Sequence, residues 1–182
     1  MNCTVKFLGA AVLALTLLAP PARATQVLYR SPQQMGTESA LVVHGTVTGV
    51  HSYWNESRTK ILTEARVNVS DSYKGSAPRE VNVLQLGGVV GNVRMTVHGA
   101  LSWRPDEEVL LFLEPAGAGA WQVSGFMQGK YRIIRDENGR PFVMNAAVAD
   151  VELVGAPGSG GRPRPSGPVA LDDFVDQALG RK

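Results

Sequence analysis

Chemistry in this chain would have to come from His44, His51 and His98, from Asp106-Glu107-Glu108, from Gly87-Gly88-Val89-Val90-Gly91 or from Ser124. A zinc site needs ligands brought to one point by i, i+4 helical spacing or by tight x-spacing. The three histidines are scattered at no such spacing, so exposed or hydrogen-bonding roles are expected, with His44 on the solvent side of its strand. The glycine cluster has the composition of a phosphate loop, but no Lys-Ser/Thr pair and no helical pattern follow it. It reads as a bend between strands. Ser124 lies in Val-Ser-Gly and lacks the second glycine that a nucleophile elbow requires. The acidic triplet follows Pro105 at a turn, where a charge run is normally a solvated face. No pair of carboxylates stands in apolar surroundings suited to acid–base work. The expectation is therefore no catalytic residue, no metal site and no cofactor.

Aromatic side chains are the remaining candidates for a surface that binds. Tyr53 and Trp54 fall at the tip of a hairpin, Trp103 precedes the Pro105 turn, and Trp121 follows a glycine-rich loop. Tryptophan and tyrosine offer a large apolar area with one polar handle, which favours contact surfaces. The structural alternative is that each folds back to close an open end of a small barrel.

The elements that must position these residues begin after an export signal. Lys6 precedes the apolar run Phe7 to Leu18, and Ala22-Arg23-Ala24 has the small-x-small form of a cleavage site. The apolar run is shorter than the roughly 20 residues that a membrane span needs. An exported protein, periplasmic or extracellular and not inserted in the membrane after cleavage, is expected. The whole chain carries a formal charge of +2, and cleavage removes Lys6 and Arg23 but no acidic residue, leaving a neutral domain. Neutrality gives no footprint for nucleic acid. Cys3 also departs with the signal, so the mature chain has no disulfide and rests on its core.

Residues 25–154 read as one β domain. Thr25 to Glu38 shows no sustained period and is taken as an extended or irregular lead-in, followed by a strand over Ser39 to Val50 in which Gly45 and Gly49 mark bulges. After Asn55-Glu56-Ser57, the odd positions Ile61, Thr63, Ala65, Val67 and Val69 alternate with Glu64, Arg66, Asn68 and Ser70. A period of two sends successive side chains to opposite faces, so the odd set is expected in a core. Shorter strands follow over Glu80 to Leu86 and Asn92 to His98. Val109-Leu110-Leu111-Phe112-Leu113 is apolar on both faces and belongs at the centre of the sheet. Strands over Trp121 to Phe126, Lys130 to Arg135 and Pro141 to Asn145 complete the set, the last two joined by the hairpin turn Asp136-Glu137-Asn138-Gly139. Residues 155–168 are a Gly/Pro-rich linker that cannot bury a core. In 169–182, Leu171, Phe174, Val175, Ala178 and Leu179 form one face of a short amphipathic helix, expected to dock on its own domain.

The order Ala40-Leu41-Val42-Val43-His44-Gly45-Thr46-Val47, then Thr63 to Val69 ending in Tyr73-Lys74-Gly75, then Pro105 to Leu113 resembles an uncharacterised group of exported bacterial proteins. Their pattern is similar in turn to netrin-type modules and tissue inhibitors of metalloproteinases. The resemblance covers about residues 25–154 and implies a mainly β fold, a single OB-like barrel with a short C-terminal helix. It also implies a non-enzymatic protein-binding module, with a secreted or envelope protease as the kind of partner. Contact would draw on Thr25 and the lead-in behind it, on Tyr53 and Trp54, and on Trp103. The inhibitors chelate zinc through an N-terminal cysteine, which Thr25 replaces here, so that property does not carry over. The alternative is an enzyme or ligand carrier whose site is assembled from scattered residues. Sequencing the N-terminus of exported protein should give Thr25-Gln26-Val27; material beginning at Met1 would overturn the processing.

Overall fold

The computed structural model describes residues 26–144, 152–154 and 167–181. The expected signal segment 1–24, Thr25 and most of the linker 155–168 lie outside the described residues. In chain order the elements are β1 (Gln26–Leu28), α1 (Pro32–Glu38), β2 (Leu41–Trp54), β3 (Ile61–Lys74), β4 (Glu80–Leu86), β5 (Gly88–Val90) and β6 (Val93–Met95). They continue with β7 (Glu108–Gly117), β8 (Ala120–Val123), β9 (Lys130–Arg135), β10 (Pro141–Met144), β11 (Glu152–Val154), β12 (Val169–Ala170) and α2 (Leu171–Leu179). The protein is mainly β with two short helices, one of them C-terminal.

The main sheet runs β12-β10-β9-β7-β2-β3-β4-β8, and β8 also pairs with β7. Strands β2, β3, β4, β8 and β7 therefore form a ring. It closes through a single parallel pair, Val83 with Trp121. One core lies inside it, drawn from all five strands: Val43 and Val47, Ala65 and Val67, Val81 and Val83, Val109 and Leu111, and Val123. The odd positions of β3 from Ile61 to Val67 are buried, as the alternation predicts, while Arg66 and Asn68 are exposed. The expected bulges occur too, with register shifts between His44 and Gly45 and between Val47 and Gly49. A Cβ on Gly45 would lie 2.3 Å from the Asn68 carbonyl oxygen, so only glycine allows this approach of β2 to β3.

A second core covers the outer face of the same sheet. Val42, Leu110, Phe112, Tyr131 and Ile133 meet Met35 of α1 and Leu171, Phe174, Val175 and Ala178 of α2. Phe174 stands over Tyr131 with ring centroids 4.6 Å apart. The amphipathic stripe of α2 is thus docked on its own domain, with Asp172 and Asp173 in the first turn and Gly180 closing the helix in a left-handed conformation. Arg181 then donates to the Tyr73 carbonyl, tying the helix end to β3.

The irregular lead-in expected before Ser39 is instead folded. Ser31 caps α1 with a reciprocal capping box to Gln34, Pro32 opens the helix, and Met35 is buried. A Cβ on Gly36 would meet the Ala178 carbonyl oxygen at 2.0 Å, so the two helices touch backbone to backbone there. Lys74 Nζ donates to the carbonyls of Gly36 and Thr37 at 2.8 Å each, holding the end of α1 against β3. Upstream, β1 pairs in parallel with β11. The strand expected over Asn92 to His98 is shorter and belongs to a separate hairpin, β5 with β6.

Replacing Val67, fully buried in the ring, by Asp should cost several kcal/mol, on the order of the desolvation of an unpaired ion. Asn68→Asp, on the exposed face, should be nearly silent in urea unfolding. Equal losses at both positions would overturn the assignment of faces.

Candidate functional site

Of the acidic run after Pro105, Asp106 is exposed as expected, whereas Glu107 and Glu108 are drawn into ion pairs. The turn at 104–107 hooks onto β2, with Asp106 N–H donating to the Val47 carbonyl and Val47 N–H to the Glu107 carbonyl, at 2.8 and 2.9 Å. Glu107 immediately precedes β7 and Glu108 starts it, and the two-residue period of extended backbone sends them to opposite faces of the sheet. Each finds cations of matching parity on β9, where Lys130 and Arg132 point one way and Arg135 the other.

On the ring side, Glu107 receives Lys130 Nζ at 2.7 Å and Arg132 Nε at 3.4 Å. Both Lys130 and Glu107 side chains are over nine-tenths buried. Lys130 also donates to the Ser102 carbonyl at 2.6 Å and lies 4.6 Å from the centre of the Trp103 ring. Burial holds the Lys130 pKa below the usual lysine value, and the pairing with Glu107 opposes that shift. Two of the three donors of this ammonium go to oxygen atoms and the Trp103 ring lies beside it, which suits a strut better than a nucleophile.

On the outer side, Glu108 receives Arg135 through two hydrogen bonds, Nη2 at 2.5 Å and Nε at 3.1 Å. His44 stands between two carboxylates, with Nε2 2.8 Å from Glu108 and Nδ1 3.1 Å from Asp71. It is buried, not on the solvent side as its position in the alternation suggested, because β2 is covered on both faces. A neutral imidazole has one N–H and can serve one carboxylate; the doubly protonated ring serves both. Its two nitrogens point to different acids, so the three groups do not converge on one point. Among the described residues, no three His, Cys, Asp or Glu side chains are arranged to hold a metal ion. What the chain Asp71-His44-Glu108-Arg135 does is cross-link β3, β2, β7 and β9.

The aromatic candidates separate into two groups. After the bulge at Gly49 the parity of β2 inverts, so Trp54 pairs with buried Ile61 while Tyr53 pairs with outward Leu62. Tyr53 is half-buried and stacks on His51, with centroids 5.9 Å apart and planes at 15°. Leu62 pairs with Leu86, so Tyr53, Leu62 and Leu86 make one transverse row across three strands. Leu86 is 37% exposed, and Val89 and Val93 on the adjoining hairpin are 45% and 48% exposed. Trp103 is not in this row: it packs on the ring core, its Nε1 donates to Gln85 at 3.0 Å, and it carries Lys130. Trp121 likewise packs on the ring core. Thr25 lies outside the described residues.

No protein-family model matches the chain, and no curated protein matches it.

Hydrogen bonds from Arg135, helped by His44 and opposed by partial burial, hold the Glu108 carboxyl below the usual carboxylate value. A depressed carboxylate stabilises the fold fully above its unfolded value, about pH 4.3, and loses that contribution as pH falls through its folded value. Glu108→Gln should therefore lower stability at pH 7 and flatten the acid limb below about pH 4.3, read by urea unfolding at stepped pH. An acid limb identical to wild type would show that Glu108 gains nothing from its partners.

Proposed function

We propose that this chain is an exported, non-enzymatic protein-binding module built as an OB-like barrel of the netrin type. It meets its partner through the outward row Tyr53, Leu62 and Leu86. The carrying observation is that row: an aromatic and two leucines in register on one face of three adjacent strands. Adjacent strands lie about 4.8 Å apart, so the row spans about 10 Å. A partly exposed apolar row of this sort, anchored by a stacked tyrosine, suits a macromolecular contact.

Support for the barrel comes from the ring itself. Five strands, a long leading hairpin and closure through one parallel pair agree with a partly open five-stranded Greek-key barrel. The signal-like N-terminus makes the partner a periplasmic or extracellular protein, and the resemblance to metalloproteinase inhibitors makes a protease the first class to try. Contact through a loose lead-in is no part of this reading, because Met35 and the Ser31 cap tie that segment into the outer core. Of the aromatics proposed at the outset, Tyr53 is retained as an anchor, whereas Trp103 packs on the ring core and Trp54 lies on the other face of β2 from Tyr53.

A photo-reactive phenylalanine analogue placed at Tyr53 should give one discrete cross-linked adduct in intact cells. The same analogue at Glu137, on the exposed β9–β10 turn, should not. Leu86→Asp should abolish the Tyr53 adduct while leaving the protein folded by circular dichroism. Adducts of equal yield from both positions, or from neither, would overturn the reading.

A further inference from the structure

Beside the Tyr53 row, β4 and β8 pair at Val83 and Trp121 and then part. A cavity of about 250 Å³ opens in the parting, walled by Leu86, Leu101, Val123 and Phe126. Clefts that take drug-sized ligands run to about 300–1,000 Å³, so this one suits a single side chain.

Phe126 stands at the cavity in an unfavourable state on two counts. Its φ is 67°, in the left-handed region that a bulky side chain avoids, and the residue is 44% exposed. The turn around it is held firmly. Ser124 Oγ bonds Ser39 Oγ at 2.8 Å, and Gly129 N–H donates to the Ser124 carbonyl at 3.1 Å. The Gln128 amide donates to the Leu28 carbonyl and accepts from Arg30 N–H, each at 2.9 Å, and Met127 is buried. Strain of this kind persists where the surroundings over-determine it, and it gathers at ligand sites. Here it fixes an aromatic face at the cavity instead of in the core.

The charge of the cavity is one-sided. Glu114 is its charged residue, with no Lys, Arg or His in the lining. Among the described residues its carboxylate accepts from Gln122 Nε2 alone, at 2.8 Å, whereas a carboxylate has about four acceptor positions. Apolar walls, an exposed aromatic ring and an under-used carboxylate together match one side chain chemistry. We propose that the cavity takes an arginine side chain from the partner polypeptide, its stem against Leu86 and Leu101 and its guanidinium between Glu114 and the face of Phe126. Arginine fits better than lysine because its planar head can both stack on a ring and bond a carboxylate through two N–H groups. This names the chemistry of the partner and rests on the protein-binding reading above.

The test uses ¹⁵N-labelled mature protein titrated with the capped peptide Gly-Ser-Arg-Ser-Gly and with its citrulline counterpart, which keeps the shape and removes the charge. The arginine peptide should shift the amide signals of Gly99, Leu101, Gln122 and Phe126 saturably. The citrulline peptide, and the arginine peptide on Glu114→Gln, should each bind about tenfold more weakly. Equal affinity for the two peptides on wild-type protein, or shifts centred elsewhere, would overturn the arginine pocket without any variant having to fold. The two readings fail separately. A Tyr53 adduct that survives alongside equal peptide affinities leaves the module and sinks the pocket, whereas charge-selective peptide binding without a Tyr53 adduct leaves the pocket and sinks the row.

Discussion

The burial of β7 on both faces is the constraint that the rest of the molecule obeys. Val109, Leu110, Leu111, Phe112 and Leu113 have no exposed surface. Each such side chain gains about 1.5–3 kcal/mol over exposure, and no single layer could bury all five. The odd residues fill the ring, which requires β2, β3, β4 and β8 to wrap around them. Leu110 and Phe112 point the other way, and they require a cover that the sheet cannot provide. Helices α1 and α2 are that cover. Neither is long enough to be stable alone, so each exists because of the apolar surface beneath it.

The same alternation that splits the apolar residues of β7 splits the charges at its start. Glu107 and Glu108 are neighbours in the chain, yet one sits by the ring and the other by the helical layer. Buried ion pairs add little net stability, because desolvation offsets most of the attraction, but an unmatched member is expensive. Their effect here is on register. Sliding β9 by one residue would turn Lys130 and Arg132 toward the aromatic core and Arg135 toward the ring, taking from each glutamate its present partners on β9. His44 and Asp71 extend the outer set to β2 and β3, so four strands are locked by one chain of polar contacts.

Exposed apolar residues collect where these two cores end. The bulge at Gly49 inverts β2, which turns Trp54 inward against Ile61 and leaves Tyr53 on the outer face beside Leu62. Beyond Val83 and Trp121 the ring no longer pairs, and Leu86 and Phe126 stand on either side of the gap. The row and the cavity share Leu86.

Much of the architecture was legible in local patterns. The period of two in Ile61 to Val67, the doubly apolar run of β7, the glycines at the β2 bulges and the i, i+3, i+4 stripe of α2 each describe neighbours along the chain. Such patterns report which residues must be buried, because backbone geometry alone decides which side chains share a face. They are silent on what does the burying. The helix at Pro32–Glu38 was not legible because it carries one large apolar residue and so no period, and its place depends on Gly36 meeting Ala178 from the far end of the chain. His44 and the glutamates looked solvated because their partners lie on other strands. The single-residue inversion at Gly49, which decides whether Tyr53 or Trp54 faces out, follows from pairing with β3. By itself the sequence determined a β domain with a docking helix. The tertiary structure decided which charges meet, which aromatics close the ring and which remain outside, because those outcomes depend on contacts between segments far apart in the chain.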